Sequence, residues 1–230
     1  MIKNYSDFVD ALQTAGFSMA GAADGIYAIA PWESGTNSTE DSPIKWHTED
    51  PETDPWEWRM RVLRERWDIA YGKLFFKKSG YLTAEWYPYF LAARRGGISF
   101  EEAYASGTIS HFAKRIYDVL AEDTMLPSHT IKRKAMFGKD DKAVFDKGLV
   151  ELQMKMFITT YGDEQRTSRD GIEYGWPSLC LCTTEYFYGK DAFEKAAAIS
   201  KEEAAGAIRA QVLKLNPAAE EKKITKFIFG

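Results

Sequence analysis

The segment between residues 110 and 183 constrains the fold of this 230-residue chain more strongly than any other. It predicts a helix over residues 110–121, a short second helix that starts at Pro127-Ser128 and ends before Gly138, and a third helix capped by Asp140 or Asp141. The third helix has one apolar stripe, formed by Phe145, Leu149, Leu152 and Met156. Two β-rich stretches, residues 157–161 and 172–183, flank a charged loop and predict a hairpin.

Three helices followed by a hairpin is the order of a winged helix-turn-helix. In helix-turn-helix proteins the second of the paired helices enters the major groove of DNA. We therefore expect a mainly α-helical chain with short β-hairpins, in a compact α+β arrangement. Residues 1–107 form the predicted N-terminal helix and hairpin unit. Residues 108–230 form the predicted C-terminal winged-helix unit, and the two pack together as one compact body.

Another strong helix signal starts at Asp54. Asp54 supplies a capping oxygen, Pro55 occupies the first turn, where a missing N–H costs nothing, and Glu57 lies three residues after the cap. The spacing of large apolar residues in this helix predicts one buried stripe, made of Trp56, Met60, Leu63, Trp67 and Tyr71. The next segment, residues 73–83, predicts a hairpin that turns at Ser79-Gly80.

The same helix is rich in arginine, at positions 59, 61, 64 and 66. Two interpretations are open: a phosphate-binding surface, or a solvated face in which the charges neutralise one another. Opposite charges lie four residues apart in the pairs Glu57–Arg61, Arg61–Glu65 and Arg64–Asp68, and this spacing stabilises helices through ion pairs. The pattern favours the solvated face.

The charge distribution also bears on DNA binding. The net charge is -4, from 34 acids and 30 bases, which argues against indiscriminate nucleic-acid binding but allows a local basic patch. Candidate DNA-binding residues lie at the first hairpin and in the helix-turn-helix segment: Lys77, Lys78, Lys132, Arg133, Lys134, Lys142 and Lys147. An ordinary solvated face is the alternative, since Lys142–Asp146 and Lys147–Glu151 are also spaced for ion pairs.

Few residues suggest catalysis. His47 lies beside carboxylates and is a weak general-base candidate, although a polar loop can cluster such residues by chance. The chain contains no P-loop, dinucleotide fingerprint, nucleophile elbow or HExxH motif.

Cys180 and Cys182 are the only cysteines and read as buried fillers, so we expect no metal site and no cofactor. The absence of a signal peptide or a long apolar stretch predicts a cytoplasmic protein without a membrane partner.

Three short strings resemble those of AlkZ-related proteins, which are similar to the winged-helix DNA glycosylases of the AlkZ and YcaQ type. The strings are Asp54-Pro-Trp-Glu-Trp-Arg59, Tyr71-Gly-Lys73 and Gly148-Leu-Val-Glu-Leu-Gln-Met154. The resemblance implies winged helix-turn-helix units in tandem around a groove. In the active glycosylases that groove admits duplex DNA with alkylated or crosslinked bases.

The resemblance also locates the catalytic motif. In the active enzymes a Gln-x-Gln or Gln-x-Asp motif just after the first helix positions the hydrolytic water. The corresponding stretch here, residues 16–21, has no glutamine and no carboxylate, and Asp24 is the one nearby acid. We therefore expect a winged-helix protein related to DNA glycosylases that binds duplex DNA and is non-catalytic or catalytically altered. The alternative is a module for a protein or small molecule, with aromatics such as Trp32, Trp46, Trp56 and Trp58 in its groove.

Overall fold

Two small antiparallel sheets, each with its own helices, organise the computed structural model, which describes residues 2–32, 42–168 and 170–230. The first sheet unit consists of α1 (Tyr5–Ala15), β1 (Phe17–Met19), α2 (Pro55–Glu65), β2 (Ile69–Phe75) and β3 (Lys78–Thr83). Two helices follow it, α3 (Tyr87–Arg94) and α4 (Phe100–Ala105).

The second sheet unit consists of α5 (His111–Glu122), β4 (Met125–Pro127), α6 (Ser128–Lys134), α7 (Lys142–Met154), β5 (Ile158–Glu164) and β6 (Ser178–Thr183). Three further helices complete the described chain: α8 (Thr184–Ala197), α9 (Lys201–Leu215) and α10 (Glu221–Phe229). The predicted order of three helices and a hairpin is confirmed. The α+β class is confirmed as well.

The two sheets share one topology. The strand order is β1-β3-β2 in the first and β4-β6-β5 in the second, so in both the last strand of the unit lies in the middle. Phe17 pairs with Leu82 in the first sheet, and Leu126 pairs with Leu181 in the second. Because Cys180 and Cys182 lie on a central strand, both thiols are buried. Burial raises the pKa of Cys180 to about 11 and that of Cys182 to about 12, so both stay protonated.

The start of α2 was predicted correctly, but its buried stripe was wrong. Asp54 caps the helix by accepting the backbone N–H of Trp56 at 2.8 Å. The buried residues are Pro55, Trp58 and Val62, which form a neighbouring stripe with the same helical spacing. Trp58 is fully buried and stacks on Phe8 of α1 at 4.9 Å. Trp67 is 64% exposed, because the helix ends at Glu65 and Trp67 lies in the connection to β2.

The first hairpin turns earlier than predicted. Phe76 and Lys77 form the turn, with φ angles of 51° and 63°. Gly80 lies within β3 instead, where a Cβ atom would come within 2.5 Å of the Phe75 ring. Glycine is therefore required here for close packing in the sheet and not for a turn.

A correction also applies to the start of α7. Asp141 occupies the capping position, but its carboxylate accepts the N–H of Gly138 at 2.7 Å and no N–H of the helix. The oxygen therefore stabilises the turn before the helix. Two other helix starts, α4 and α9, have complete capping boxes at Ser99 and Ser200.

The first sheet shares its core with the C-terminal helices. Phe17 and Phe75 of the sheet pack against Phe90 of α3, and all three contact Phe227 of α10. The second sheet covers a separate core that includes Ile116, Leu152 and Leu181. The predicted boundary at residue 107 stays a prediction, and the first core draws on residues from both sides of it. Among the described residues, no helix has the length and apolar character needed to cross a membrane.

Candidate functional site

A groove runs along the junction of the two sheet units. It contains three adjoining cavities of about 460, 490 and 530 Å³. At one end, Trp176 and Pro177 of the β5–β6 hairpin face the outer side of α2. At the other end, Lys77 of the β2–β3 turn faces the outer side of α7. Each unit thus places its hairpin over the helix of the other, and we call the whole feature the inter-unit groove.

A buried glutamine holds the two units together at the centre of this groove. Gln153 of α7 is 6% exposed; its Oε1 accepts the N–H of Lys73 at 2.9 Å, and its Nε2 donates to the Leu149 carbonyl at 3.1 Å. On β2, a Cβ atom at Gly72 would lie 2.7 Å from Gln153 Oε1. Only glycine allows this approach, so the second and third strings of the family resemblance meet at one contact.

Arg59, which belongs to the first string, differs from the other arginines of this segment in its interaction partners. Its guanidinium lies 3.3 Å above the Trp56 ring, and its Nε donates to the Trp56 carbonyl at 2.8 Å. Among the described residues, no carboxylate lies within 4.0 Å of it. Arg59 lines two of the three cavities, so its remaining N–H groups are available to an anion in the groove.

The other three arginines of this segment are paired with carboxylates. Arg61 contacts Glu52 at 2.6 Å and Glu65 at 2.8 Å, whereas Arg64 makes a bidentate pair with Asp163 across the two units, at 2.6 and 3.0 Å. Arg66 pairs with Asp68 at 2.7 Å. The predicted Arg61–Glu65 pair is confirmed, whereas the predicted Glu57–Arg61 pair is wrong, because among the described residues Arg61 pairs with Glu52 and Glu65. The predicted Arg64–Asp68 pair is wrong, because Asp68 binds Arg66 and Arg64 reaches the second unit.

Two further cations line the central cavity, Lys73 and Arg166. Arg166 Nε is buried without a hydrogen-bond partner among the described residues, and no carboxylate lies within 4.0 Å of either side chain. Nearby, the hydroxyls of Ser128 and Ser178 lie 2.9 Å apart. Asp146 is the acid in this cavity, so cations outnumber acids where the groove is most polar.

Aromatic and apolar side chains surround these cations. Trp56, Tyr71 and Leu179 line the groove beside Arg59, and Trp176 of the β5–β6 hairpin is 81% exposed. A flat aromatic face next to a guanidinium can stack a planar ring and bind its phosphate at the same time. The chemistry of the groove therefore suits a planar anion.

The predicted DNA-binding residues are distributed over several surfaces. Lys77 and Lys147 line the same end of the inter-unit groove. Lys142 is exposed at the start of α7, while Lys132 and Arg133 lie on α6 outside the groove lining. Lys78 and Lys134 form ion pairs, with Asp24 at 2.8 Å and with Asp123 respectively.

The ion pairs predicted along α7 do not form. No carboxylate lies within 4.0 Å of the Lys142 or Lys147 ammonium in the described part of the chain. Glu151 accepts instead from Ser110, at 2.8 Å from its N–H and 2.6 Å from its hydroxyl. The glutamate thereby fixes the start of α5.

His47 lies among aromatic side chains, and its role as a general base stays a prediction. The centroid of its ring lies 5.3 Å from that of Trp32 and 4.9 Å from that of Trp56, and Trp46 belongs to the same aromatic cluster. The neighbouring Asp50 is engaged by the N–H of Glu52 at 2.9 Å, and this hydrogen bond is the main cause that lowers the Asp50 pKa. The described residues include no cluster of histidine, cysteine and acidic side chains that could hold a metal ion.

The stretch that corresponds to the glycosylase motif forms β1. The Ser18 side chain is 1% exposed; it donates to the Met19 carbonyl at 2.8 Å and accepts the N–H of Ile29 at 3.0 Å. Both bonds are structural. Asp24 has a φ of 49°, and its carboxylate binds Lys78 through one oxygen, while the other is buried without a partner among the described residues.

Several groove residues were missed by the analysis of patterns in the sequence, above all Arg59, Lys73, Arg166 and Trp176. Clusters of basic residues directed attention to α6 and α7, whereas Arg59, Lys73 and Arg166 come from three separate parts of the chain: α2, β2 and the β5–β6 connection. One signal was available: Arg59, Lys73 and Gln153 all belong to the strings that carry the family resemblance.

Comparison with known proteins supports that resemblance. The model of the AlkZ-related family matches residues 2–229, nearly the whole chain. Neither the curated proteins nor the solved structures gave a significant match. Since the family match extends from α1 to α10, it includes both sheet units and the groove between them, and the chain belongs to the AlkZ-related family.

Proposed function

We propose that this protein binds nucleic acid in the inter-unit groove and has no base-excision activity. The observation that supports this most strongly is the set of cations without carboxylate partners, Arg59, Lys73 and Arg166, in a groove that also contains the exposed ring of Trp176. Phosphates are bound by such cations and unstacked bases by such rings. The family relation to DNA glycosylase-like proteins points in the same direction.

A tandem winged-helix scaffold is part of the proposal. Its support is the shared strand order of the two sheets, in which a helix and a short strand precede a further helix and a hairpin. In this arrangement α2 and α7 correspond to recognition helices, and their outer sides both face the groove. A ligand in the groove would contact both helices and both hairpins. Phosphates beyond the groove would be contacted by Lys142, Lys132 and Arg133. We also propose that the protein is cytoplasmic.

The titration of a labelled oligonucleotide, duplex or single-stranded, at about 50 and about 200 mM salt tests this function, because phosphate contacts weaken steeply with salt. Lys73→Gln and Arg59→Gln should each weaken binding and lower the salt slope by about one. Arg61→Gln is the matched control, since it removes a charge from the same helix that is already paired with Glu52 and Glu65. Binding without salt dependence, or equal effects of all three variants, would contradict the proposal.

The absence of base excision is tested separately. Excision requires a group that orients water or stabilises the developing sugar cation, and a buried serine hydroxyl has no charge to offer. The wild type should therefore release no methylated purine from duplex DNA. If it does, loss of release in Asp24→Ala would identify the Asp24 carboxylate as the missing group.

A second candidate function is the binding of a protein partner. The observation that favours it is the β5–β6 hairpin, where Ile172, Tyr174 and Trp176 are 67%, 54% and 81% exposed. Exposed apolar side chains grouped on one loop are typical of interaction sites. The two functions separate in the titration, since a protein ligand on this loop predicts no binding of oligonucleotide at either salt concentration.

A further inference from the structure

Positive charge in the inter-unit groove is concentrated in the central cavity of about 490 Å³. Its lining includes three cations, Arg59, Lys73 and Arg166, and one acid, Asp146. Within the described part of the chain, no carboxylate lies within 4.0 Å of any of these cations. Three cations against one acid leave an excess of two positive charges in the lining of this cavity.

The excess of positive charge is smaller in the two neighbouring cavities. In the cavity of about 460 Å³, Arg59 shares the lining with Glu57. The other arginine there, Arg64, is paired with Asp163 at 2.6 Å. Near α10, two acids lie beside three lysines in the lining of the cavity of about 530 Å³. A group with two negative charges is therefore favoured at the centre of the groove over either end.

Hydroxyl groups add neutral donors to these charges. Tyr71 of β2 is 6% exposed and lines the central cavity, and its hydroxyl forms no hydrogen bond with the described residues. Ser178 of β6 is 3% exposed, and its hydroxyl lies 2.9 Å from that of Ser128. One hydrogen forms the bond between the two serines, so the other can be donated to a ligand. Hydroxyls of this kind gain a partner when an anion enters the cavity.

We infer that the central cavity binds the phosphate at the end of a nucleic-acid strand. A terminal phosphomonoester carries a charge of about −1.5 to −2 at pH 7 and has three acceptor oxygens, which match the excess charge and the donors of the lining. An internal phosphodiester carries one charge and has fewer free oxygens. The inference rests on the proposed function, because it names the part of a nucleic-acid ligand that the groove holds.

The base attached to this phosphate would lie in the cavity of about 460 Å³. Arg59, Tyr71 and Leu179 line both this cavity and the central one, so a single nucleotide can extend from one to the other. Trp176 is 81% exposed there, and an exposed indole ring can stack an unpaired base. The phosphate and the base of one terminal nucleotide would thus be bound by adjoining parts of the groove.

Three oligonucleotides of one sequence test this inference: one with a 5′-phosphate, one with a 3′-phosphate, and one with hydroxyls at both ends. They are titrated in the form, duplex or single-stranded, that binds better in the salt titration. One phosphorylated oligonucleotide should bind at least about tenfold more tightly than the unphosphorylated one, because it adds hydrogen bonds to a charged group. The one that gains affinity identifies the end of the strand. An unphosphorylated oligonucleotide with one further nucleotide adds a similar charge and should show almost none of this gain.

The outcomes separate the inference from the proposed function. Salt-dependent binding with equal affinity for all three oligonucleotides would overturn the inference and leave the proposed function intact. The same holds if the longer unphosphorylated oligonucleotide gains as much as the phosphorylated ones. Absence of binding by all of them would contradict the proposed function, and the inference with it.

Variants then locate the site. Tyr71→Phe removes a hydroxyl that has no partner among the described residues, so the melting temperature should stay unchanged while the preference for the phosphorylated end falls. Arg166→Gln should reduce that preference by about tenfold. Arg61→Gln is the control and should keep the full preference, since Arg61 is paired with carboxylates. A full preference in both Tyr71→Phe and Arg166→Gln, with wild-type melting temperatures, would place the terminal phosphate elsewhere and refute the assignment.

Discussion

The two sheet units have the same topology but are stabilised differently. The first core includes Phe17 and Phe75 and is completed by Ile208 of α9 and Phe227 of α10, which lie more than a hundred residues further along the chain. The second core consists of residues between Phe100 and Leu181. The first unit has a local core as well, which includes Phe8, Trp58 and Tyr81. The comparison therefore indicates that a second core of the first unit depends on the C-terminal helices, whereas the core of the second unit is entirely local.

Their hairpins differ as well. The first turns over the two residues Phe76 and Lys77, whereas the second extends beyond β5 through a loop that carries the exposed Tyr174 and Trp176. A tight turn places one lysine over α7, and the longer loop places an aromatic surface over α2. The two ends of the groove therefore differ in chemistry although the scaffold that forms them is repeated.

The largest expected effect tests the dependence of the first unit on α10. Phe227 is fully buried and stacks on Phe75 at 4.3 Å, so Phe227→Ala should lower the free energy of unfolding by about 3–5 kcal/mol. Amide hydrogen exchange should show a greater loss of protection in β1–β3 than in β4–β6. An equal loss in both sheets would show that the two cores unfold together and would break the comparison.

The contact that joins the units gives the next largest effect. Gly72→Ala places a methyl group against Gln153 Oε1 and should cost about 1–3 kcal/mol. Gln153→Ala should cost a similar amount, about 1–3 kcal/mol, because the N–H of Lys73 loses its acceptor and the buried Gln153 side chain is removed. In urea denaturation the double variant should be less destabilised than the sum of the two, since the alanine at 153 removes the clash. Simple additivity would mean that the contact does not couple the units.

The aromatic contact on the outer surface should matter less. The ring centroid of Trp67 lies 5.3 Å from that of Tyr161 on β5 and 6.3 Å from that of Phe187 on α8, but the Trp67 side chain remains 64% exposed. Trp67→Ala should therefore lower stability by less than about 1 kcal/mol. Trp58→Ala in the same measurement is the contrast, with an expected loss of about 3–5 kcal/mol. A larger effect at Trp67 would mean that this contact is a principal link between the units.

The tryptophans of α2 also show how much of the fold can be predicted from the sequence. Local signals such as the Asp54 cap and the order of elements in residues 110–183 are encoded by neighbouring residues, and they were predicted correctly. The choice between the Trp56 and Trp58 stripes was not predictable, because both have helical spacing and the packing of Phe8 decides between them. The groove is harder to predict from the sequence than the buried stripe, because its cations come from elements that only tertiary contacts bring together.

The smallest expected effect concerns His129, at the start of α6 beside the groove. Burial is the main cause that lowers its pKa from 6.5, and the charge of Arg166 adds to it. Because the folded state then binds this proton less readily than the unfolded state, the stability contribution is complete above about pH 6.5 and is lost as the pH falls below that value. His129→Gln should make stability less dependent on pH in this window, and urea denaturation at several pH values measures the change.

The same histidine reports on the groove. An anion bound to Arg166 would offset the positive charge that contributes to the lowered pKa of His129, so the pKa should rise when an oligonucleotide binds. NMR titration of the His129 ring, with and without oligonucleotide, measures this shift directly. A bound oligonucleotide that leaves the His129 pKa unchanged would contradict the placement of its phosphates at Arg166.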